Sequence, residues 1–205
     1  YDGGAYIETV LRGDKAKGTD MHSINAAAIG CSREVAKVFF YAMIYGSGDM
    51  NLGVILGLSG KKAAAAGKAA RARLMKAVPA LGKLVEAVKK AVARGYIVGL
   101  DGRRLVARAE NAALNTLLQS AGAVQMKRGL VILVDACEHR GWEFGRQYAV
   151  TGRIHDEWQT NVYPDLAEEF GQKAVSAIRL AGEYYDFRCP LDGQFKVGNT
   201  WKETH

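Results

Sequence analysis

The chain has 205 residues, 49% of them apolar and 24% charged, with a net charge of +7. That length suits one domain or two small ones, and no apolar run approaches the roughly 20 residues a membrane span needs. Three widely spaced cysteines, Cys31, Cys137 and Cys189, make no CxxC pair and no zinc spacing, which points to buried or incidental thiols in a reducing compartment. No signal peptide is visible, and the first residue is Tyr, so the chain reads as processed, trimmed or part of something longer. The charge is uneven. Between Lys61 and Arg94 lie ten basic residues and one acidic residue, Glu86, so this stretch carries +9 and everything else sums to −2. Such a stripe is either an electrostatic footprint for phosphates or a solvated Ala/Lys helix face.

In chain order, residues 5–13 read as the tail of a helix ending at Gly13. Asp20 can cap a helix over 20–30. Ser32 can cap another to about Tyr45, ended by the Gly-rich YGSGD. Residues 49–58 form a short helix or turn. Ser59 to Val78 is Ala-rich and helical, Pro79 interrupts it, and a helix over 81–94 is closed by Gly95. The period then changes. β-formers around Asp101-Gly102 predict a hairpin over 96–109. Residues 110–141 read as one long helix with a wide apolar face. A second hairpin spans about 147–162, with His155-Asp156-Glu157 at or near its turn, and Pro164 begins a helix to about Tyr185. The tail reads as short strand and loop. A helical first half followed by hairpins and long helices predicts an α+β fold, with an antiparallel sheet packed on helices.

Two stretches carry chemistry. In SREVAKVFFYAMIYG, a rotation of about 100° per residue puts Arg33, Lys37 and Tyr41 within an arc of about 80°, with Tyr45 about 40° further on. Val35, Val38, Phe39, Ala42 and Met43 fall on the opposite, apolar side, while Phe40 and Ile44 join the front as flat apolar surface. Arg and Lys one turn apart can hold consecutive phosphates, with an aromatic beyond them for a sugar or base; an ordinary amphipathic surface helix fits the same pattern. In RIHDEWQ, residues 153–159, adjacent carboxylates beside an imidazole fit either a surface turn or a site for a hard divalent cation.

The spacing Arg33, Lys37, Tyr41, Tyr45, Gly46 resembles the fingers helix, motif B, of family A DNA polymerases. RIHDEWQ resembles their motif C, where His-Asp-Glu sits at a palm hairpin turn. DGRRLVARAENAALNTLLQSAGA (101–123) and the tail DFRCPLDGQFKVGNTW (186–201) are similar to the bacteriophage replicative branch, and GDKAKGTDMHSIN (13–25) to the approach to the fingers. These resemblances run in family order along nearly the whole chain. They imply a partial right-hand polymerase, with a helical fingers subdomain over residues 1–95 and an antiparallel-sheet palm packed on long helices over 96–205.

The resemblance also implies roles. Arg33 and Lys37 would bind the triphosphate of an incoming deoxynucleotide, with Lys37 the proton donor to departing pyrophosphate. Tyr41 would meet the sugar, His22 a phosphate, and Tyr45 and Gly46 would lie beside the templating base. Asn115 and Gln119, one turn apart, would face the primer–template junction, with Gln119 donating to minor-groove acceptors that every correct pair presents. Asn111 stands where the bacterial repair branch has Arg, so no DNA contact is carried over to it. Asp156 would bind two Mg²⁺ ions, His155 would lie at the primer terminus, and Glu157 would be a secondary metal ligand. The family's second metal-binding Asp lies in motif A, Asp-x-Ser-x-x-Glu, which this sequence lacks; Asp2 is in the wrong context to replace it. The expectation is therefore a phage-encoded, cytoplasmic chain that does not polymerise alone. Its partners would be primer–template DNA, deoxynucleoside triphosphates and a second polypeptide carrying motif A, the thumb and an exonuclease region. The alternative reading is a non-enzymatic, sequence-independent DNA-binding module derived from a polymerase.

Overall fold

A computed structural model describes residues 4–204. Its helices are α1 (Ala5–Arg12), α2 (Met21–Ile29), α3 (Arg33–Ile44), α4 (Asp49–Ile55), α5 (Gly60–Ala77), α6 (Pro79–Ala93), α7 (Ala113–His139), α8 (Ala167–Tyr184) and α9 (Trp201–Thr204). Its strands are β1 (Ile97–Val98), β2 (Arg104–Leu105), β3 (Tyr148–Ile154) and β4 (Glu157–Val162). The chain divides into two compact units between Leu118 and Gln119, within α7.

Local chemistry sets several helix ends of the first unit. The Asp20 carboxylate accepts from the His22 amide at 3.1 Å, and the Ser32 hydroxyl from the Val35 amide at 3.3 Å, each satisfying an orphan first-turn N–H. Gly30 ends α2 in the left-handed conformation, and Pro79 opens α6 at the position where its missing N–H costs nothing. The core gathers Ile29, Ala36, Phe39, Met43, Leu52 and Leu74 from α2 to α5, with Val78 between α5 and α6. Helices α4 and α5 touch backbone to backbone: a Cβ on Gly53 would lie 1.9 Å from the Ala63 carbonyl oxygen, so only glycine fits there.

The first hairpin is shorter than its sequence suggests. Ile97 pairs with Leu105 and Val98 with Arg104, and Gly102 takes a φ of 80°. The Gly102 amide donates to the Gly99 carbonyl at 3.0 Å, and the Gly99 amide to the Arg103 carbonyl at 2.8 Å. Three residues, Leu100 to Gly102, therefore form the loop, which is a turn followed by a left-handed Gly.

In the second unit, β3 and β4 run from the Tyr148–Val162 pair to the Ile154–Glu157 pair, with an irregularity between Val150 and Gly152. Their core joins Leu133, Cys137, Trp142, Tyr148, Phe170 and Ala177. The strands form two separate two-stranded ribbons, and the mixed helical and antiparallel architecture is α+β. The expected tail strand is corrected: residues 187–200 hold no strand. Side chains fix that stretch instead, with Leu191 on Gly182, Phe195 on Gly171, and Asp192 paired with Arg179 at 2.9 Å.

Candidate functional site

The first unit builds a polar face from α2 and α3. Gly30 and Cys31 let the chain reverse between these helices, so that residues far apart in sequence meet. Arg33 donates from Nη2 to Asp20 at 2.9 Å and from Nε to both Asp20 oxygens at 3.2 and 3.3 Å. The guanidinium, and next the hydrogen-bonded Ser23 hydroxyl, hold the Asp20 carboxyl well below the usual carboxylate range. Asp20 thus caps α2 and anchors Arg33 with one carboxylate. The spacing of the sequence offered only the capping role.

His22 lies in the first turn of α2 and is 9% exposed. Its ring centroid is 5.8 Å from Tyr41 and 6.3 Å from Phe40. Burial first, then the positive charge of Arg33, push its pKa down, and Asp20 opposes them. Its imidazole is therefore neutral near pH 7. Tyr41 is 42% exposed, Tyr45 is exposed, and so is Lys37, whose charge also reaches His22. Arg33, Lys37, Tyr41 and His22 thus occur together. The front of α3 differs from the helical-wheel reading in one respect: Phe40 is only 7% exposed and belongs to the core, while Val38, assigned to the apolar back, is 55% exposed. The α2 packing partner decides which arc of α3 is buried, and it covers Phe40.

At the end of α3, Gly46 has a φ of 89°, and a Cβ there would lie 2.4 Å from the Asn111 carbonyl oxygen. The Asn111 amide donates to the Gly46 carbonyl at 3.0 Å. The glycine and the asparagine together tie the α3 terminus to the segment that leads into α7. Asn115 is half-buried, with its side-chain oxygen inside the protein, and Gln119, one turn further along α7, is exposed.

The second unit presents His155 and Asp156 as the two-residue loop between β3 and β4. His155 has a φ of 52°, in the left-handed region that favours glycine. Asp156 is exposed, while Glu157 is half-buried and accepts from the Gln159 side chain. Trp158, one pair from the turn, packs over Gly129 of α7. Beside the turn is a cavity of about 520 Å³ whose lining includes Asp156, Thr160, Phe170, Ile178 and Phe195. Among the described residues no three His, Cys, Asp or Glu side chains cluster as metal ligands. Asp2 lies outside the described residues.

The family model of DNA polymerase family A matches residues 9–203. The chain belongs to DNA polymerase family A. This family A chain is 34% identical to the DNA-directed DNA polymerase of Enterobacteria phage T3 and 32% identical to that of Escherichia phage T7, each match covering all of this chain and 30% of the phage protein. It therefore spans about a third of the length of these relatives. A shorter match, 58% identical over 40 residues, relates it to the mitochondrial DNA polymerase subunit gamma-1 of Drosophila melanogaster. Its fold is similar to that of the POL domain of Pol1 from M. smegmatis, solved in complex with DNA primer-template and dNTP, with a TM-score of 0.66 and 19% identity over 86% of this chain and 34% of that one. No helix among the described residues is long and apolar enough to cross a membrane.

Proposed function

We propose that the chain is the fingers (1–95) and palm (96–205) portion of a DNA-directed DNA polymerase that adds deoxynucleoside triphosphates to a primer 3′ end. The observation that carries this reading is the shared face of Arg33, Lys37, Tyr41 and His22 in a chain of this family. Arg33 and Lys37 bind the triphosphate. Asp20 takes the Nε edge of Arg33, which leaves Nη1 for the ligand. Neutral His22 donates a hydrogen bond to a phosphate oxygen without adding charge. Tyr41 meets the sugar, Tyr45 and Gly46 lie beside the templating base, and Lys37 protonates the departing pyrophosphate. Gln119 and Asn115 face the primer–template minor groove, and His155 lies at the primer end.

Asp156 suits a hard cation, because its carboxylate is exposed at a turn braced by a packed strand pair. It would hold Mg²⁺ with Glu157 in a lesser part. Two Mg²⁺ ions, when bound, supply activation of the 3′-hydroxyl and neutralisation of charge on the transferring phosphoryl group. A second aspartate must come from a segment outside this sequence, since active-site geometry has to hold within about 0.5 Å and one carboxylate cannot fix two cations. The test is primer extension by this chain alone and by this chain mixed with a polypeptide carrying motif A and the thumb, with Asp156→Ala as control. Extension by the mixture, abolished in the variant, is expected. Robust extension by this chain alone defeats the need for a second aspartate, and DNA binding without Mg²⁺-dependent nucleotide binding favours the non-enzymatic module.

A further inference from the structure

A cluster of buried polar atoms lies directly behind the proposed nucleotide face. Asn25, one turn after His22 on α2, is 0% exposed, and neither its side-chain oxygen nor its side-chain nitrogen has a hydrogen-bond partner. The Nδ1 atom of His22 is likewise buried without a partner. Nδ1 is therefore the inward nitrogen of the ring, and Nε2 is the nitrogen left to face the nucleotide. Tyr6, half-buried at the edge of the same core, has its phenol beside the Asn25 amide. The Asn25 amide meets the Tyr6 phenol only loosely, and a fully buried asparagine with no well-formed hydrogen bond is uncommon and points to a demand that packing does not explain.

The chemistry of His22 supplies that demand. Its neighbours Arg33 and Lys37 already provide positive charge and, with burial, keep the ring neutral against the opposing charge of Asp20. A neutral imidazole carries one N–H and one bare nitrogen. It can donate to a phosphate oxygen through Nε2 only if the proton sits there, and Nδ1 must then accept. Side chains three residues apart on a helix have Cβ atoms about 5–6 Å apart, a gap that an asparagine amide and an imidazole can span. We infer that Asn25, braced by Tyr6, is a positioning residue that fixes His22 in the Nε2–H tautomer by donating to Nδ1. The Tyr6 phenol oxygen accepts one N–H of the Asn25 amide, which turns the other toward the ring. The inference rests on the proposed role of His22 at a phosphate, but the tautomer itself can be measured without it.

The experiment is ¹⁵N NMR on the active polymerase that carries this chain, labelled selectively at histidine, with His22→Gln to identify the His22 signals. Near pH 7 the expected spectrum has a protonated Nε2 and a bare Nδ1. Asn25→Leu keeps the volume and removes the donor, so the signals should move to a mixture of tautomers; KM for deoxynucleotide should rise about tenfold while kcat changes less than about twofold. Asn25→Asp offers Nδ1 an acceptor and should drive the proton to Nδ1. Tyr6→Phe should raise KM by about threefold, with the same sign as Asn25→Leu. If Asn25→Leu fails to fold, the wild-type tautomer and Tyr6→Phe still decide. A wild-type His22 with its proton on Nδ1, or spectra unchanged in the Leu and Asp variants, overturns the inference. A wild type that binds no nucleotide overturns the polymerase reading instead and leaves the tautomer assignment standing.

Discussion

The α2–α3 face and the β3–β4 turn carry the two halves of the proposed chemistry, and the chain builds them by different means. The face is assembled in depth. Asp20 serves two helices at once, His22 is buried against aromatic rings, and Arg33 is held through three hydrogen bonds before any ligand arrives. The turn is a tip: Asp156 is exposed and His155 adopts a backbone conformation that favours glycine. A face that must bind a flexible polyanion gains from pre-positioned donors, because ordering them at the moment of binding costs affinity. A carboxylate that must meet cations and a second carboxylate gains from projecting out of its own core. The first unit therefore holds most of its proposed site, and the second holds half of one.

The sharpest way to break this comparison is Asp156→Ala in an assembly active for primer extension. The rate should fall by roughly a thousandfold or more with little change in nucleotide KM, as the proposed role of the carboxylate in the transition state requires. Arg33→Ala or Lys37→Ala should instead raise KM by about ten- to a hundredfold, the scale of a lost charge-assisted hydrogen bond. If Asp156→Ala behaves as a binding variant, the division of labour fails.

Phe39 is fully buried in the first unit and Phe170 nearly so in the second. Phe39→Ala should cost about 3–5 kcal/mol, read by denaturant unfolding. Hydrogen exchange should show the loss in α2 to α5, with the β3–β4 ribbon still protected. Equal loss of protection in both would mean that the units do not open separately.

Asp20 in the first unit and Cys137 in the second should lose their contributions at opposite ends of the pH scale. The pKa of Asp20 is depressed in the folded state, so its contribution is complete above about pH 4–5 and disappears as pH falls further. Burial pushes the Cys137 thiol up to about 11, so stability is complete below an unfolded value of about 8.5 and is lost as pH rises toward the folded one. Asp20→Asn, which keeps a good helix cap, should flatten the acid limb, and Cys137→Ala the alkaline limb, in thermal melts across pH. His155→Gly should have the smallest effect, stabilising the ribbon by about 0.5–1 kcal/mol through relief of its left-handed backbone, as measured by denaturant midpoint. A loss of stability would show that the imidazole makes up for the strain.

Helix boundaries in the first unit were legible in the sequence because caps act within three or four residues. Asp20 and Ser32 fall where their side chains reach the first-turn amides, and Pro79 opens α6 in its favoured place. Hairpin position was legible from Asp101-Gly102 and from the apolar flanks of His155-Asp156, but the three-residue loop at the first was not, because the register of two short strands is a pairwise property. Spacing on one helix likewise put Arg33, Lys37 and Tyr41 on one face. Phe40 was misplaced because a helical wheel knows the angle of a side chain but not which arc a neighbour covers.

By itself the sequence determined the family, the α+β element order and the residues that carry charge to the proposed site, since these depend on side-chain identity and on repeats within one helix or strand. Only the tertiary structure decided that Asp20 anchors Arg33 across 13 residues, that Gly46 is closed in by Asn111, that the tail is held by Leu191 and Phe195 rather than by strand pairing, and that His22 buries Nδ1 without a partner. Each of these is a contact between elements. Local propensity sets where an element starts and stops, but a contact between two elements exists only after their faces have been chosen by burial.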